Sequence, residues 1–314
     1  MGPNFMKWPN SEELTLTSTV NLNTDNNESK IPILGLGTWA GGPPPTKGTT
    51  LRAVLHGLKI GYRLIDTARL YANEREVGQA IRQSGIDREQ LFVTTKVWND
   101  DHGVQSAQDA CNSSLSRLGL SYLDLFLIHW PVENLRLDTW KGLEKLLSNG
   151  KCRAIGVSNY TIEHVKELLE NSSITPAVNQ VEFSPFLYQR DLLNFCQSND
   201  IQLQAYSPLT RGAKMGDENL LDIVSKYRRY KKTPVQVVVR WLLQRNVIPI
   251  PKSFNEDHID ENANVFDFTI TPKDMSDIDG LDRQLRYCWD PSTGQKVRHY
   301  SDPKTFMQFT LPPG

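Results

Sequence analysis

The sequence predicts an α/β protein of the (β/α)8 TIM-barrel class, with an N-terminal β-hairpin cap and a long C-terminal loop. Three observations carry this. Eight short apolar runs recur between residues 33 and 251. Each is nearly continuous rather than alternating, as strands buried on both faces of a parallel sheet are. Segments of helical period separate them. No G-x-G-x-x-G follows the first run, and no Pro-, Gly- or Ser-rich linker divides the chain, which disfavours an open doubly wound sheet and a two-domain protein.

The elements follow in order. Residues 1–12 read as a flexible N-terminus. Leu14–Val20 with Asn21-Leu22 and the polar stretch Asn23–Ser29 suggest a hairpin over the barrel bottom. Strands are expected at Ile33–Gly37, Arg63–Asp66, Leu91–Val97, Leu123–His129, Ala154–Ser158, Ala177–Glu182, Ile201–Tyr206 and Val247–Pro251. Between them, Ala107, Cys111, Leu115 and Leu118 share one helical face. Ile162, Val165 and Leu168 with Leu169 share another, and Val235, Val238, Val239 and Leu242 a third. Such stripes read as core contacts. The tail after Asp279 has no periodicity and reads as a long loop. About eight strand–helix units in 314 residues fit one barrel, so residues 1–314 read as a single domain.

Composition narrows the function. A formal net charge of -1 gives no long-range attraction for nucleic acid or an anionic membrane, so neither is an expected partner. Cys111, Cys152, Cys196 and Cys288 lie far apart with no C-x-x-C pair, so neither a disulfide framework nor a metal site is expected. Free thiols fit a reducing compartment. No apolar run approaches the ~20 residues of a membrane span. The N-terminus carries no signal peptide, and Met6 stands where a myristoylation signal needs Ser or Thr. A soluble cytoplasmic protein is expected.

In a barrel of this type, polar residues at the C-terminal strand ends face the active site. Strand two ends on Asp66, with Tyr71 just beyond. Strand three ends near Lys96 and strand four on His129. Ser158-Asn159, Asn179-Gln180, Tyr206-Ser207 and Lys252-Ser253 mark the last four. Singly, each has a bland reading. Lys96 could be a buried lysine paired with a carboxylate such as Asp66. His129 could be a satisfied core histidine, and Tyr71 a rim aromatic. Converging on one barrel mouth, they read as a site.

Several segments resemble the aldo-keto reductase family. G-Y-R-L-I-D-T-A-R-L-Y-A-N-E-R-E-V-G at 61–78 is similar to its first signature and R-A-I-G-V-S-N-Y at 153–160 to its second. I-P-K-S at 250–253 with Glu261-Asn262 is similar to its third. G-L-G-T-W at 35–39, L-I-H-W-P at 127–131, A-V-N-Q at 177–180 and A-Y-S-P-L at 205–209 also resemble it, in the family's order, over residues 31 to 270. The resemblance implies reduction of a small carbonyl substrate with NADPH, NADH being a weaker alternative, by a monomer. It implies a catalytic tetrad of Asp66, Tyr71, Lys96 and His129. Tyr71 would donate the proton, the Lys96 ammonium would lower the tyrosine pKa, and Asp66 would hold the lysine charged. His129, neutral, would position the carbonyl oxygen.

The cofactor contacts carry over likewise. Tyr206 would stack on the nicotinamide, with Thr38 and Trp39 alongside, and Ser158, Asn159 and Gln180 would bond its carboxamide. Ser207 and Leu209 would meet the pyrophosphate and ribose side, and Lys252 and Ser253 the 2′-phosphate. Asn255, Glu261 and Asn262 would lie near the adenosine. Trp39, Trp98 and Trp130 would wall the substrate cleft beside His129. Three departures stand out. Leu64 replaces the family's frequent His or Tyr. The segments Val132–Leu135 and after Leu209 are short, which predicts an open cleft. His258, counted among the cofactor contacts, stands where the third signature usually has Arg. The competing readings are a non-catalytic NADP(H)-binding subunit, a structural crystallin-like role, and a glycosidase using Asp66 and Glu182.

Overall fold

The computed structural model describes residues 8–24, 29–40 and 46–292. Residues 1–7 of the expected flexible start, 25–28 of the hairpin turn and the tail beyond 292 lie outside them. The strands are β1 (Thr19–Asn21), β2 (Lys30–Pro32), β3 (Gly35–Gly37), β4 (Leu64–Asp66), β5 (Phe92–Val97), β6 (Leu123–Ile128), β7 (Cys152–Ser158), β8 (Val178–Glu182), β9 (Gln202–Tyr206) and β10 (Ile248–Pro249). The helices are α1 (Thr49–Ile60), α2 (Glu74–Ser84), α3 (Val104–Leu118), α4 (Arg136–Ser148), α5 (Ile162–Asn171), α6 (Arg190–Ser198), α7 (Glu218–Ser225), α8 (Pro234–Gln244), α9 (Glu256–Ala263) and α10 (Pro272–Asp279).

β3 to β10 form one sheet in which each strand pairs in parallel with the next in sequence. A parallel bridge between Gly37 and Lys252 joins its two ends. There the Gly37 amide donates to the Pro251 carbonyl at 3.0 Å. A Cβ on Gly37 would sit 2.8 Å from the Ile250 carbonyl oxygen, so only glycine lets this seam approach so closely. Every residue of β3 to β6 is buried, which explains why these strands read as continuous apolar runs.

The hairpin pairs β1 with β2 antiparallel, Val20 opposite Ile31. Its second strand lies beyond the polar stretch, because Ile31 needs the same buried face as Val20. The hairpin covers the N-terminal ends of the barrel strands. Asn23 donates to the Pro176 carbonyl, Ser29 to the Arg153 carbonyl, and Trp8 to Gln202.

The three helical stripes land in the core at Ala107, Cys111, Leu115, Leu118, Val165, Leu168, Val238, Val239 and Leu242. Ile162 and Leu169 are half-buried against that core, and Val235 lies outside it. Val235 sits in the first turn of α8 and lines a cleft. Helices α7 and α10, absent from the sequence reading, start at capping residues Asp217 and Thr271.

Gly78, within the first signature, holds a packing role. A Cβ there would lie 1.9 Å from the Leu118 carbonyl oxygen at the end of α3. Gly78→Ala must push α2 from α3 and is expected to destabilise the fold by about 1–3 kcal/mol, as overpacking does. The urea unfolding midpoint is the measurement, and a wild-type midpoint would refute the close contact.

Candidate active site

Asp66 closes β4, Tyr71 ends the single 3-10 turn Arg69–Tyr71 that follows, Lys96 sits near the end of β5, and His129 directly follows β6. The parallel register brings these positions to one mouth, as the sequence predicts. Lys96 Nζ donates to Asp66 Oδ1 at 2.6 Å, to the Thr67 carbonyl at 3.0 Å and to the Tyr71 hydroxyl oxygen at 3.3 Å. Three acceptors around one nitrogen need three N–H donors, which only the ammonium provides. The other Asp66 oxygen accepts from Gln180 Nε2 at 2.7 Å. Thr38 donates to the Asp66 carbonyl at 2.9 Å, fixing the strand end.

The electrostatics differ from expectation in one respect. Burial, and then the negative charge of Asp66, push the Tyr71 phenol well above its ordinary value. The lowering expected from Lys96 is outweighed, because the sequence does not reveal how thoroughly this ring is desolvated. Burial likewise pulls the Lys96 ammonium below the usual lysine value, with Asp66 opposing. His129 meets Tyr71 and Trp98 edge-on at ring separations of 5.7 and 5.1 Å. Burial, and then Lys96, hold its imidazole well below its ordinary value, so it is neutral at neutral pH, as expected. Nearby, burial brings His102 down to about 4.

Both histidines are therefore expected to stay unprotonated in the folded protein from pH 8 to about 5.5. Their folded pKa values lie below the unfolded value of ≈ 6.5, so the unfolded chain binds more protons beneath that pH. The stability each contributes is present above ~6.5 and lost as pH falls below it, towards about 4 for His102, at up to about 1.4 kcal/mol per pH unit. An imidazole NMR titration decides it, and a midpoint near 6.5 for either ring would contradict the buried neutral state.

A cleft of about 670 Å³ opens over these residues. It joins Asp66, Tyr71 and His129 to Lys252, Ser253 and His258 through Tyr206 and Ser207. Thr38, Trp39, Trp98, Trp130, Ser158, Asn159, Gln180, Leu209, Glu261 and Asn262 also line it, as the sequence predicts. His258, Glu261 and Asn262 share one face of α9 (i, i+3, i+4). Within the walls, Tyr206 donates to Asn159 Oδ1 at 2.7 Å, and Asn159 Nδ2 donates to the His129 carbonyl at 2.9 Å. Ser158 donates to the Gln180 carbonyl. Asn255 does not line the cleft; its side chain caps α9 by accepting from the Asp257 amide.

Other wall residues escape sequence reasoning. Arg211, in a left-handed backbone conformation, places its guanidinium 5.1 Å from the Trp39 ring and donates to Cys288 Sγ at 3.4 Å. The short segment after Leu209 thus still supplies a cleft wall through Arg211. Tyr287, Cys288 and Trp289 of the tail form another wall, Trp289 lying 5.4 Å from Trp130. The glycosidase pairing fails on geometry. Asp66 is committed to Lys96 and Gln180, and Glu182 to the backbone amides of Tyr287 and Cys288.

Residues 33–283 match the Aldo/keto reductase family. The chain is 46% identical over 272 residues to a glyoxal reductase of Bacillus subtilis (strain 168), covering 87% of this chain and 95% of that relative. It is 45% identical over 270 residues to a 9,11-endoperoxide prostaglandin H2 reductase of Trypanosoma cruzi (strain CL Brener), covering 85% and 94%. A solved aldo-keto reductase from a Medee basin deep-sea metagenome library superposes with a TM-score of 0.80 at 42% identity, covering 85% of this chain and 96% of that one. A Bombyx mori aldo-keto reductase solved in complex with NADP superposes with a TM-score of 0.79 at 36% identity, covering 87% and 95%.

Proposed function

The chain belongs to the aldo/keto reductase family, and on that premise we propose that it reduces aldehydes and ketones to alcohols with NADPH, Tyr71 giving the proton. One observation carries the assignment of roles. Lys96 donates to the Tyr71 hydroxyl oxygen, and Tyr71 lines the cleft. Its own O–H is then left for an acceptor on the cleft side, where a carbonyl oxygen gaining negative charge would lie. As the proton leaves, the Lys96 ammonium stabilises the phenolate that remains, and Asp66 keeps that ammonium in place. Neutral His129 positions the carbonyl oxygen.

The cleft suits the cofactor chemically. NADPH, when bound, supplies the hydride. Amide groups of Asn159 and Gln180 and the hydroxyl of Ser158 would hold the carboxamide, and the Tyr206 ring would support the nicotinamide beside Thr38 and Trp39. Ser207 and Leu209 would flank the pyrophosphate. The Lys252 ammonium with Ser253 and His258 would receive the 2′-phosphate, which favours NADPH over NADH. Glu261 and Asn262 would face the adenosine. The glyoxal reductase and prostaglandin reductase relatives and the NADP-bound neighbour support this reading. The free cysteines fit a cytoplasmic compartment, and we read the working unit as a monomer.

Tryptophan walls favour apolar substrates, so aromatic and medium-chain aldehydes are expected to exceed open-chain sugars in kcat/KM, at ~1–3 kcal/mol per well-placed apolar group. Loss of NADPH absorbance across a carbonyl panel is the assay. No turnover with any carbonyl would sink the proposal, and a preference for pentoses over benzaldehyde would sink the substrate class.

A further inference from the structure

Glu182 is a buried acid with no part in the chemistry above. It ends β8, is 2% exposed, and does not line the 670 Å³ cleft. Its carboxylate has no cation within ion-pair distance among the described residues. Instead Oε1 accepts from the Tyr287 amide at 2.6 Å and Oε2 from the Cys288 amide at 3.1 Å. Burying an unpaired carboxylate is costly, and two charge-assisted bonds to backbone amides are what offsets it here.

Those two bonds end a longer staple. The Arg283 and Leu285 amides donate to the Phe186 carbonyl at 3.2 and 2.9 Å. The Tyr188 amide donates to Asp282 at 3.2 Å. Gln189 donates to the Glu182 carbonyl at 2.7 Å and accepts from Arg286 at 3.1 Å. The tail is thereby laid along residues 182–189, and the residues that Glu182 grips begin the cleft wall of Tyr287, Cys288 and Trp289. On the far side lies a second cavity of about 380 Å³, which Glu182 and Arg286 both line. The stapled tail borders both spaces, with Asp282, Gln284 and Arg286 on the second and Arg286 to Trp289 on the cleft.

We propose that Glu182 is a specificity-positioning residue, which by gripping the amides of Tyr287 and Cys288 fixes the tail as a substrate wall and so favours bulky apolar carbonyls over small ones. The proposal rests on the carbonyl-reductase reading. Because the grip is on backbone, it places the tail without dictating which side chains the tail presents. Freed, the tail would let the two cavities merge, and Trp289 would lose its fixed distance from Trp130.

The test uses Glu182→Gln and Glu182→Asp. Gln cannot accept both amides, and Asp keeps the charge but is one methylene too short to reach them. Cys288 reports on the tail without any turnover. It is half-buried, whereas Cys111, Cys152 and Cys196 are buried and serve as internal controls. Alkylation of Cys288 by iodoacetamide, read by mass spectrometry, is expected to quicken about tenfold or more in both variants. The Asp variant excludes a simple loss of charge beside the thiol. In NADPH-coupled assays, kcat/KM for benzaldehyde is expected to fall about tenfold through KM, and that for methylglyoxal less than twofold. Trp289→Ala should reproduce this split, and adding it to Glu182→Gln should bring little more, as coupled sites behave. Wild-type alkylation rates in folded variants would overturn the proposal, as would equal losses for both substrates. Should the Glu182 variants not fold, an unchanged substrate ratio in Trp289→Ala would overturn it. An inactive wild-type protein would remove the reductase reading and the selectivity claim with it, while the Cys288 rates would still tell whether the staple exists.

Discussion

Tyr71→Phe is expected to lower kcat by about 10²–10⁴-fold, the range for losing a general acid, while NADPH still binds. Phe keeps the ring that faces His129 and stacks 6.2 Å from Trp39, so the walls survive. What disappears is the one hydroxyl that Lys96 addresses from behind. The loss should fall on kcat, because the hydroxyl matters most when charge develops on the substrate oxygen. Steady-state kinetics with benzaldehyde, beside a fluorescence titration with NADPH, separates the two effects. Turnover within tenfold of wild type would mean that another group delivers the proton.

Lys96→Met is expected to be as damaging to turnover and more damaging to the fold. The substitution preserves length but removes three N–H donors at a site with no solvent exposure. Asp66 Oδ1, the Thr67 carbonyl and the Tyr71 oxygen all lose their donor. Breaking a buried ion pair from one side costs about 3–5 kcal/mol, because the remaining charge is stranded. Gln180 still holds the second Asp66 oxygen, which places the cost toward the lower end. Adding Asp66→Asn should recover much of the stability by removing the stranded charge, yet return no activity. A double variant that regained both would show that the pair is structural and that Tyr71 needs no cation behind it.

The barrel was legible because its strands have a physical signature that tertiary context does not alter. Residues such as Phe126 and Val93 are apolar on both faces because both faces are buried. The buried Asp66–Lys96 pair was legible for a related reason. A lysine amid Thr94, Thr95 and Val97 must find a carboxylate, and parallel register supplies Asp66 from the neighbouring strand. The tail was not legible. Its path is set by contacts such as Glu182 to Tyr287, 105 residues apart, and no local period records those. Arg211 escaped similarly, since its reach to Trp39 depends on a left-handed backbone at a residue that shows no sequence preference for it. Helices α7 and α10 do carry local start signals. Asp217 and the Thr271-Pro272 pair are ordinary helix starts, with Asp274 bonding back to Thr271. The direction of the Tyr71 shift is not legible in the sequence, because desolvation belongs to the folded shape, whereas neighbouring charge can be inferred from motif order.

The seam at Gly37 and Lys252 has a consequence for how the protein is made. The proposed proton-handling residues Asp66, Tyr71, Lys96 and His129 leave the ribosome early, but the strand that closes the ring begins 119 residues after His129 and the lysine that would anchor the phosphate follows it. Until then the sheet has two open edges, at β3 and at its newest strand, and half a cleft. A growing chain therefore cannot be rescued by cofactor, because the two ends of the binding groove are not yet joined. Long-range closure of this kind is slow and exposes unpaired strand edges meanwhile. Truncation anywhere before residue 252 yields an unclosed sheet rather than a weaker enzyme.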